Sequence, residues 1–348
     1  MMRLAFVGPM VGAPDVVLAT QGDIVAKLFA KDGYPVVAVS AMPNRYIRML
    51  DIMSTLMRHR RDIDLQCVQV YSGPSFMLAD LATWLGRIFN HRLVLFLHGG
   101  SLPEFMVRYP NWTRRVFERA DRLVAPSDFL AKAFMPHGYK VEVIPNVIDL
   151  AVYPFRHRVH LKPRLLWMRS FHQIYNPLMA IHVLKRVRAA IPTATLVMAG
   201  LDKGMQERVR VLASNEGLTN SVVFPGFLDT EGKSREGNQA DIFLNTSHVD
   251  NMPVSVIEAC ALGLPVVSTA VGGVPALLRD GETGLLVPDD DVPAMSDAIL
   301  RLCSDSDLAG RLSANGRELA ESSSWAMVRA KWEQMFSQIS ISPRPQIT

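Results

Sequence analysis

The chain has 348 residues, enough for about two domains of ordinary size. With 49% apolar and 20% charged residues it can bury full cores, which excludes a disordered segment or a disulfide-held miniature. The formal charge of +4 is unevenly spread: residues 1–160 carry 19 Lys and Arg against 13 Asp and Glu, and the remainder 18 against 20, so the two parts are +6 and −2.

Three widely spaced cysteines, Cys67, Cys260 and Cys303, form no CxxC pair. They point to a reducing, cytoplasmic setting and to neither a disulfide framework nor a zinc site. No apolar run reaches the roughly 18 residues of a membrane span. The N-terminus MMRLAFVGPM reads as a first buried strand rather than a cleaved signal, because its apolar core stops at Gly8 and Pro9.

In chain order, short apolar runs bounded by Gly, Pro or polar turns predict strands at 4–8, 36–40, 67–71, 93–97, 123–125 and 141–144. Helical spacing fills 22–30, 44–60 and 76–89 between them, and this alternation means a parallel α/β sheet. AVYPFRHRVHLKPR, with six basic or His residues and two prolines, then reads as a linker. A second strand set follows at 165–168, 195–199, 222–225, 241–244, 265–268 and 285–287, and helices at 293–303, 307–321 and 325–339 close the chain before the tail SPRPQIT. The expected fold class is therefore α/β, with two Rossmann-like domains at 1–155 and 164–323. A linker at 156–163 joins them, and 324–348 forms a terminal helix and tail that packs back on the first domain. Such sheets bind ligands outside the carboxyl ends of their strands, here in a cleft where the two domains face each other.

Three post-strand segments stand out: the Gly8 to Pro14 loop, HGG at 98–100, and NTSHVDNMPVSVIEA at 245–259. In the last, Pro253 is suited to the first turn of a helix, leaving peptide N–H groups from Asn251 to Val256 as an anion site favoured by the helix dipole. Asp250 and Glu258 flank that site. A carboxylate beside a bound phosphate is costly unless it accepts hydrogen bonds, so sugar hydroxyls are its natural partners. The plainer alternative is a capping aspartate with an incidental helix glutamate. A lone histidine after a strand is usually structural, but the two glycines after His98 let a ligand approach and favour a functional role.

The run DNMPVSVIEACALGLPVVSTAVGGVPALLRDGETGLLVPDDD resembles the signature of family 4 retaining glycosyltransferases of the GT-B fold, in which an acidic residue is followed eight positions later by glutamate. RLVLFLHGG, ERADRLVAPSDFLAKAF, VEVIPNVIDL and LLWMRSFHQIYNPLMAI are similar to other parts of that family. The resemblance implies that Glu258 holds the ribose hydroxyls of a UDP- or GDP-type sugar donor and that Asp250 and His98 lie at the transferred sugar. It implies that backbone amides near Asn251, Val254 and Ser255 receive the diphosphate, that Arg169 neutralises it, that Gly8 and Gly12 approach the donor phosphates or the acceptor, and that Phe227 and Leu228 sit near the base. The first domain then takes the acceptor and the second the donor. The departing phosphate helps to deprotonate the acceptor, and no cofactor beyond the donor and no metal is required.

Two positions depart from the family pattern. Asp250 stands where glutamate is usual, shorter by one methylene or about 1.5 Å. Ile174 or Tyr175 stands where a lysine is usual, with Lys203 a candidate replacement for a charge-assisted contact worth about 1.5–3 kcal/mol. These departures keep two alternatives open, a catalytically degenerate nucleotide-sugar-binding subunit and a nucleotide-sugar epimerase or hydrolase. The DxD pairs Asp62/Asp64, Asp289/Asp291 and Asp305/Asp307 lie away from the expected cleft, so no metal site is expected there. Arginines cluster in RMLDIMSTLMRHRR and RYPNWTRRVFER. Along the first and the residue before it, Ile47, Leu50, Met53 or Ser54 and Met57 follow helical spacing, which leaves two readings: a solvated face, or an anionic inner membrane surface or lipid-linked acceptor bound by a peripheral protein. Few aromatics interleave these arginines, which argues against nucleic acid.

Overall fold

The computed structural model describes residues 1–13 and 16–341. Strands of a parallel sheet are covered on both faces and so read as unbroken apolar runs. The first, β1 (Leu4–Val7), is buried at every position. It is followed by β2 (Val11–Ala13), β3 (Val16–Ala19), β4 (Val36–Val39), β5 (Leu65–Val70), β6 (Arg92–Leu97), β7 (Arg122–Ala125) and β8 (Val141–Val143). Six of these form an all-parallel sheet in the order β4-β1-β5-β6-β7-β8. The second set is β9 (Arg164–Met168), β10 (Thr195–Ala199), β11 (Val222–Gly226), β12 (Ile242–Asn245), β13 (Val266–Thr269) and β14 (Leu285–Val287), all parallel in the order β11-β10-β9-β12-β13-β14.

Each order reverses once, between β1 and β5 in the first sheet and between β9 and β12 in the second. At such a switch point neighbouring crossovers leave on opposite faces and open a crevice beyond the strand ends. Gly8 follows β1; Arg169 follows β9, and the Thr246–Asp250 segment follows β12.

Two expectations are corrected. The segment after β1 is not a plain loop: β2 and β3 pair antiparallel, with Val11 opposite Ala19 and Ala13 opposite Val16. Gly12 therefore sits in a strand too short to show an alternating pattern, while Pro14 and Asp15 lie outside the described residues. The 156–163 segment is likewise not a free linker. The chain divides into Met1–Val147 with Val328–Thr348, and Ile148–Met327, so 148–163 belongs to the second unit. Arg158, 2% exposed, anchors it: its side chain donates to Ala240 O (3.1 Å), Gly237 O (2.6 Å), Arg156 O (3.0 Å) and Leu262 O. A buried guanidinium surrounded by carbonyls is a tertiary anchor that looks like linker polarity in the sequence.

The closing helix, Trp325–Ile341, joins the first unit from Val328 onward. Its Trp332 is fully buried, edge-on to Phe96 (5.4 Å) and Phe6 (6.4 Å). Arg329 pairs with Asp32 at 2.9 Å, and Glu333 accepts from the Tyr34 hydroxyl at 2.8 Å. The tail 342–348 lies outside the described residues. Among the described residues no helix is long and apolar enough to cross a membrane.

Candidate functional site

In the second unit the chemistry gathers at the β9/β12 switch point. Arg169 follows β9 directly, and its backbone N–H donates to Ala199 O at 3.1 Å. Its guanidinium makes a close ion pair with the Asp250 carboxylate and lies 4.1 Å from the centre of the Tyr175 ring. Its Nη1 reaches Ser255 Oγ at 3.5 Å. Asp250 is largely buried. Burial pushes its carboxyl above the ordinary value, while the Arg169 charge and hydrogen bonds from Arg169, the Asn251 N–H and Ser247 pull it down. The Gly273 N–H caps the Asp250 carbonyl at 2.8 Å. Gly272 has φ +55°, and a Cβ there would stand 2.1 Å from that carbonyl, so the Val271-Gly272-Gly273 turn needs glycine to close against Asp250.

The loop carrying Tyr175 is held in place. Thr246 Oγ1 donates to Tyr175 O (2.8 Å) or Asn176 O (2.9 Å) and accepts from Trp167 Nε1 (3.0 Å). The Tyr175 ring covers the guanidinium in a cation–π contact.

The Val254–Ala261 helix starts one residue later than expected, with Pro253 as its N-cap. Among the described residues no acceptor meets the N–H groups of Val254 and Ser255, so they are available to an anion. Two of the predicted donors are already used: Asn251 N–H bonds Asp250, and Val256 N–H donates to Pro253 O at 3.1 Å.

Glu258, 5% exposed, lies on this helix. Oε1 accepts from the Tyr153 hydroxyl (2.7 Å) and Lys233 Nζ (2.8 Å), and Oε2 from Lys233 Nζ (3.0 Å). Burial beside the carboxylate pushes the Tyr153 phenol up, so it remains a donor. A carboxylate offers about four acceptor positions, and three are taken, so a vicinal diol can bind both oxygens only if Lys233 shifts. Lys233 and Tyr153 escaped sequence reasoning because they come from the Thr230–Gln239 helix and the 148–163 segment.

Lys203 is exposed, and its N–H donates to Phe171 O at 3.1 Å, which ties its loop to the turn following Arg169. Phe227 is half-buried just beyond β11, whereas Leu228 is 6% exposed and packs with Val256 and Ile257, so it is a core residue rather than a surface for a base. Cys260 is a buried core residue.

In the first unit Gly8 is tied to the strand beside it, donating to Val39 O (2.7 Å) and accepting from Ser40 N (2.8 Å). His98, 7% exposed, is stacked on Tyr71 (5.0 Å, 17°), and its Nε2 lies 2.5 Å from Gln69 Oε1. Burial holds this imidazole at about 3 against an ordinary 6.5. As pH falls through 6.5 the unfolded chain binds a proton that the folded ring refuses. The contribution to stability is therefore complete above that pH and is lost as pH drops towards 3. Between these limits wild-type stability should fall by up to about 1.4 kcal/mol per pH unit from this group, and His98→Asn should flatten that slope. Urea unfolding at pH 7, 6 and 5 measures it, and equal slopes in the two proteins would refute it.

The Arg45–Arg58 helix leaves its apolar stripe exposed. It buries Ile52 and Leu56 and exposes Tyr46 (61%), Ile47 (53%), Leu50 (59%) and Met57 (42%) among its arginines. The neighbouring Phe76–Ile88 helix adds exposed Met77, Trp84 and Ile88. A cavity of about 540 Å³ lies beside them, lined by Met49, Met77, Leu81, Trp84 and Trp112. Much of the second arginine cluster is paired: Arg115 and Arg119 with Asp80 (2.7 and 2.6 Å), and Arg114 with Glu118 (2.7 Å). The DxD residues have structural roles. Asp62 and Asp64 pair with Arg3, Asp289 with His248, and Asp291 and Asp305 cap helices while Asp307 lies in a first turn.

The family model described as "Glycosyl transferases group 1" matches residues 157–319, and that described as "Glycosyltransferase Family 4" matches residues 14–152. A phosphatidyl-myo-inositol mannosyltransferase of Mycobacterium leprae is 26% identical over 81% of this chain and 75% of its own. A putative colanic acid biosynthesis glycosyltransferase of Salmonella typhimurium is 26% identical over 64% of this chain, and a D-inositol 3-phosphate glycosyltransferase of Mycobacterium sp. is 29% identical over 56%. These two matches span only 58% and 47% of those relatives. Among solved structures, Anabaena HepE in complex with UDP aligns over 97% of this chain and all of its own, with TM-score 0.75 and 16% identity. The sucrose-phosphate synthase of Thermosynechococcus elongatus aligns over 98% of this chain and 99% of its own, with TM-score 0.75 and 20% identity.

Proposed function

Since the chain belongs to the group 1, family 4 glycosyltransferases and has their GT-B fold, we propose that it moves a sugar from a UDP- or GDP-type donor to a glycan, lipid-linked or small-molecule acceptor. The transfer proceeds with retention, without a metal, in cell-envelope polysaccharide or glycoconjugate synthesis. The observation that carries this is the convergence, at one switch point, of Arg169, Asp250, the open N–H groups of Val254 and Ser255, and buried Glu258. Amides and guanidinium meet a diphosphate, and the carboxylates meet hydroxyls. In the reaction the bond between the anomeric carbon and the phosphate oxygen breaks as the acceptor oxygen attacks the same face. The acceptor's proton passes to the departing phosphate, whose growing charge Arg169 offsets. His98 is the first unit's candidate for contact with a substrate.

HepE structures with UDP and glucose and with UDP-glucose support a nucleotide-sugar donor. The mannosyltransferase relative, by its name, acts on a phosphatidylinositol, which supports a lipid-linked acceptor. The test is a thermal-shift series with UDP, GDP and their sugars. A ligand at 100 times its Kd should stabilise the protein by about 2.7 kcal/mol. If no nucleotide at millimolar concentration raises Tm, there is no donor site. Nucleotide release that depends on an acceptor then marks a transferase, release without one a hydrolase, and binding alone the degenerate subunit that the missing lysine and the shortened Asp250 keep open.

The exposed Tyr46, Ile47, Leu50 and Met57 beside Arg45, Arg58, Arg60 and Arg61 support peripheral attachment to the anionic inner face of the cytoplasmic membrane. Wild-type protein should cosediment with phosphatidylglycerol vesicles but not with phosphatidylcholine, and less at high salt; Leu50→Glu should weaken it. Equal recovery with both lipids would rule out the electrostatic part.

A further inference from the structure

Strand β5 is buried along its whole length, yet two of its six residues are glutamines. They make two glutamine–histidine pairs with different completeness. Gln66 Oε1 lies 3.2 Å from His91 Nδ1, its Nε2 donates to Ala82 O at 2.8 Å, and His91 Nε2 lies 3.0 Å from Arg60 O. Every polar atom of that pair has a partner, as a structural pair requires.

Gln69, 1% exposed, is different. Its Oε1 faces His98 Nε2 at 2.5 Å, while its buried Nε2 has no partner among the described residues. No described residue meets His98 Nδ1 either. Room for the amide is made at two glycines. A Cβ on Gly8 would stand 2.7 Å from Gln69 Cβ, and one on Gly22 would stand 2.5 Å from Gln69 Cδ. An amide buried with half its hydrogen bonds unmade is destabilising, and an aliphatic residue would serve a purely structural role better.

We propose that Gln69 is the positioning residue of His98, fixing its neutral Nε2–H tautomer and so presenting the Nδ1 lone pair as an acceptor for a substrate hydroxyl. A carbonyl oxygen can only accept, so the ring proton must sit on Nε2, and stacking on Tyr71 fixes the ring plane. This rests on the glycosyltransferase reading, but the tautomer itself can be read without activity.

Long-range 1H–15N spectra of the 15N-histidine-labelled full chain should show His98 as the Nε2–H form at pH 7, with no titration down to pH 5. Gln69→Glu places a carboxylate against the same N–H and stabilises the imidazolium, so His98 should begin to titrate between pH 5 and 8. The transfer kcat should then gain an acid limb at that pKa, because a protonated Nδ1 donates instead of accepting. Gln69→Met keeps the length but removes the acceptor; it should mix the tautomers and lower kcat tenfold to hundredfold, with the donor Kd changed less than twofold. An Nδ1–H tautomer in the wild type overturns the proposal, as does a Gln69→Glu protein with unaltered His98 titration and kcat profile, or a Gln69→Met protein with full kcat. Inactive wild-type protein with the expected tautomer would instead refute the glycosyltransferase reading.

Discussion

Glu258→Ala is expected to abolish the Tm shift given by the cognate nucleotide and to lower kcat/KM for transfer by roughly two to four orders of magnitude. The estimate is two hydroxyl hydrogen bonds to a buried carboxylate at about 1.5–3 kcal/mol each. The effect on the unliganded protein should be smaller. Lys233, a quarter exposed, turns to water, and only the buried Tyr153 hydroxyl loses its acceptor, at about 1–3 kcal/mol. Glu258→Gln separates the terms: it keeps the shape and one acceptor oxygen but loses the charge, so it should retain more stability than affinity. Isothermal titration and urea unfolding of the three proteins measure both. Nucleotide affinity within threefold of wild type in Glu258→Ala would remove this residue from the donor site.

Arg169→Met is expected to be the more destabilising change and to depend on pH. It leaves Asp250 buried without its guanidinium, and breaking such a pair costs about 3–5 kcal/mol when the survivor stays charged. Burial already pushes the Asp250 carboxyl up, and Arg169 is the main influence holding it down, so the variant raises it further. A carboxyl whose folded pKa lies above its unfolded value favours the fold at low pH and loses that contribution as pH rises through the folded pKa. The deficit of Arg169→Met relative to wild type should therefore be small near pH 5 and grow towards pH 8. Adding Asp250→Asn should recover most of it by removing the stranded charge, while UDP or GDP affinity stays tenfold to hundredfold below wild type for want of the guanidinium. A pH-independent deficit, or no recovery in the double variant, would show that the pair is not the source.

All twelve strands of the two parallel sheets were legible in the sequence, because a strand covered on both faces is a continuous apolar run between turn residues. The β2–β3 hairpin was not. Gly12, Pro14 and Asp15 interrupt its apolar residues, so that stretch reads as a glycine-bearing loop. The placement of Asp250 and Glu258 was equally readable, since both lie within one strand end and one helix start, where spacing along the chain sets position in space.

What only the tertiary structure decided are the partners. Tyr153 meets Glu258 across 105 residues, Arg169 meets Asp250 across 81, and Gln69 meets His98 across 29. The same limit hid Arg158, whose charge looks like a linker's until its carbonyl partners surround it, and the Arg45–Arg58 helix, whose periodicity marked a stripe but not which side the neighbouring helix covers. Sequence determined the residues' types and local geometry. Whether a polar side chain is solvated, paired or left with an open valence depends on which distant backbone comes to lie beside it, and that is set by the sheet order.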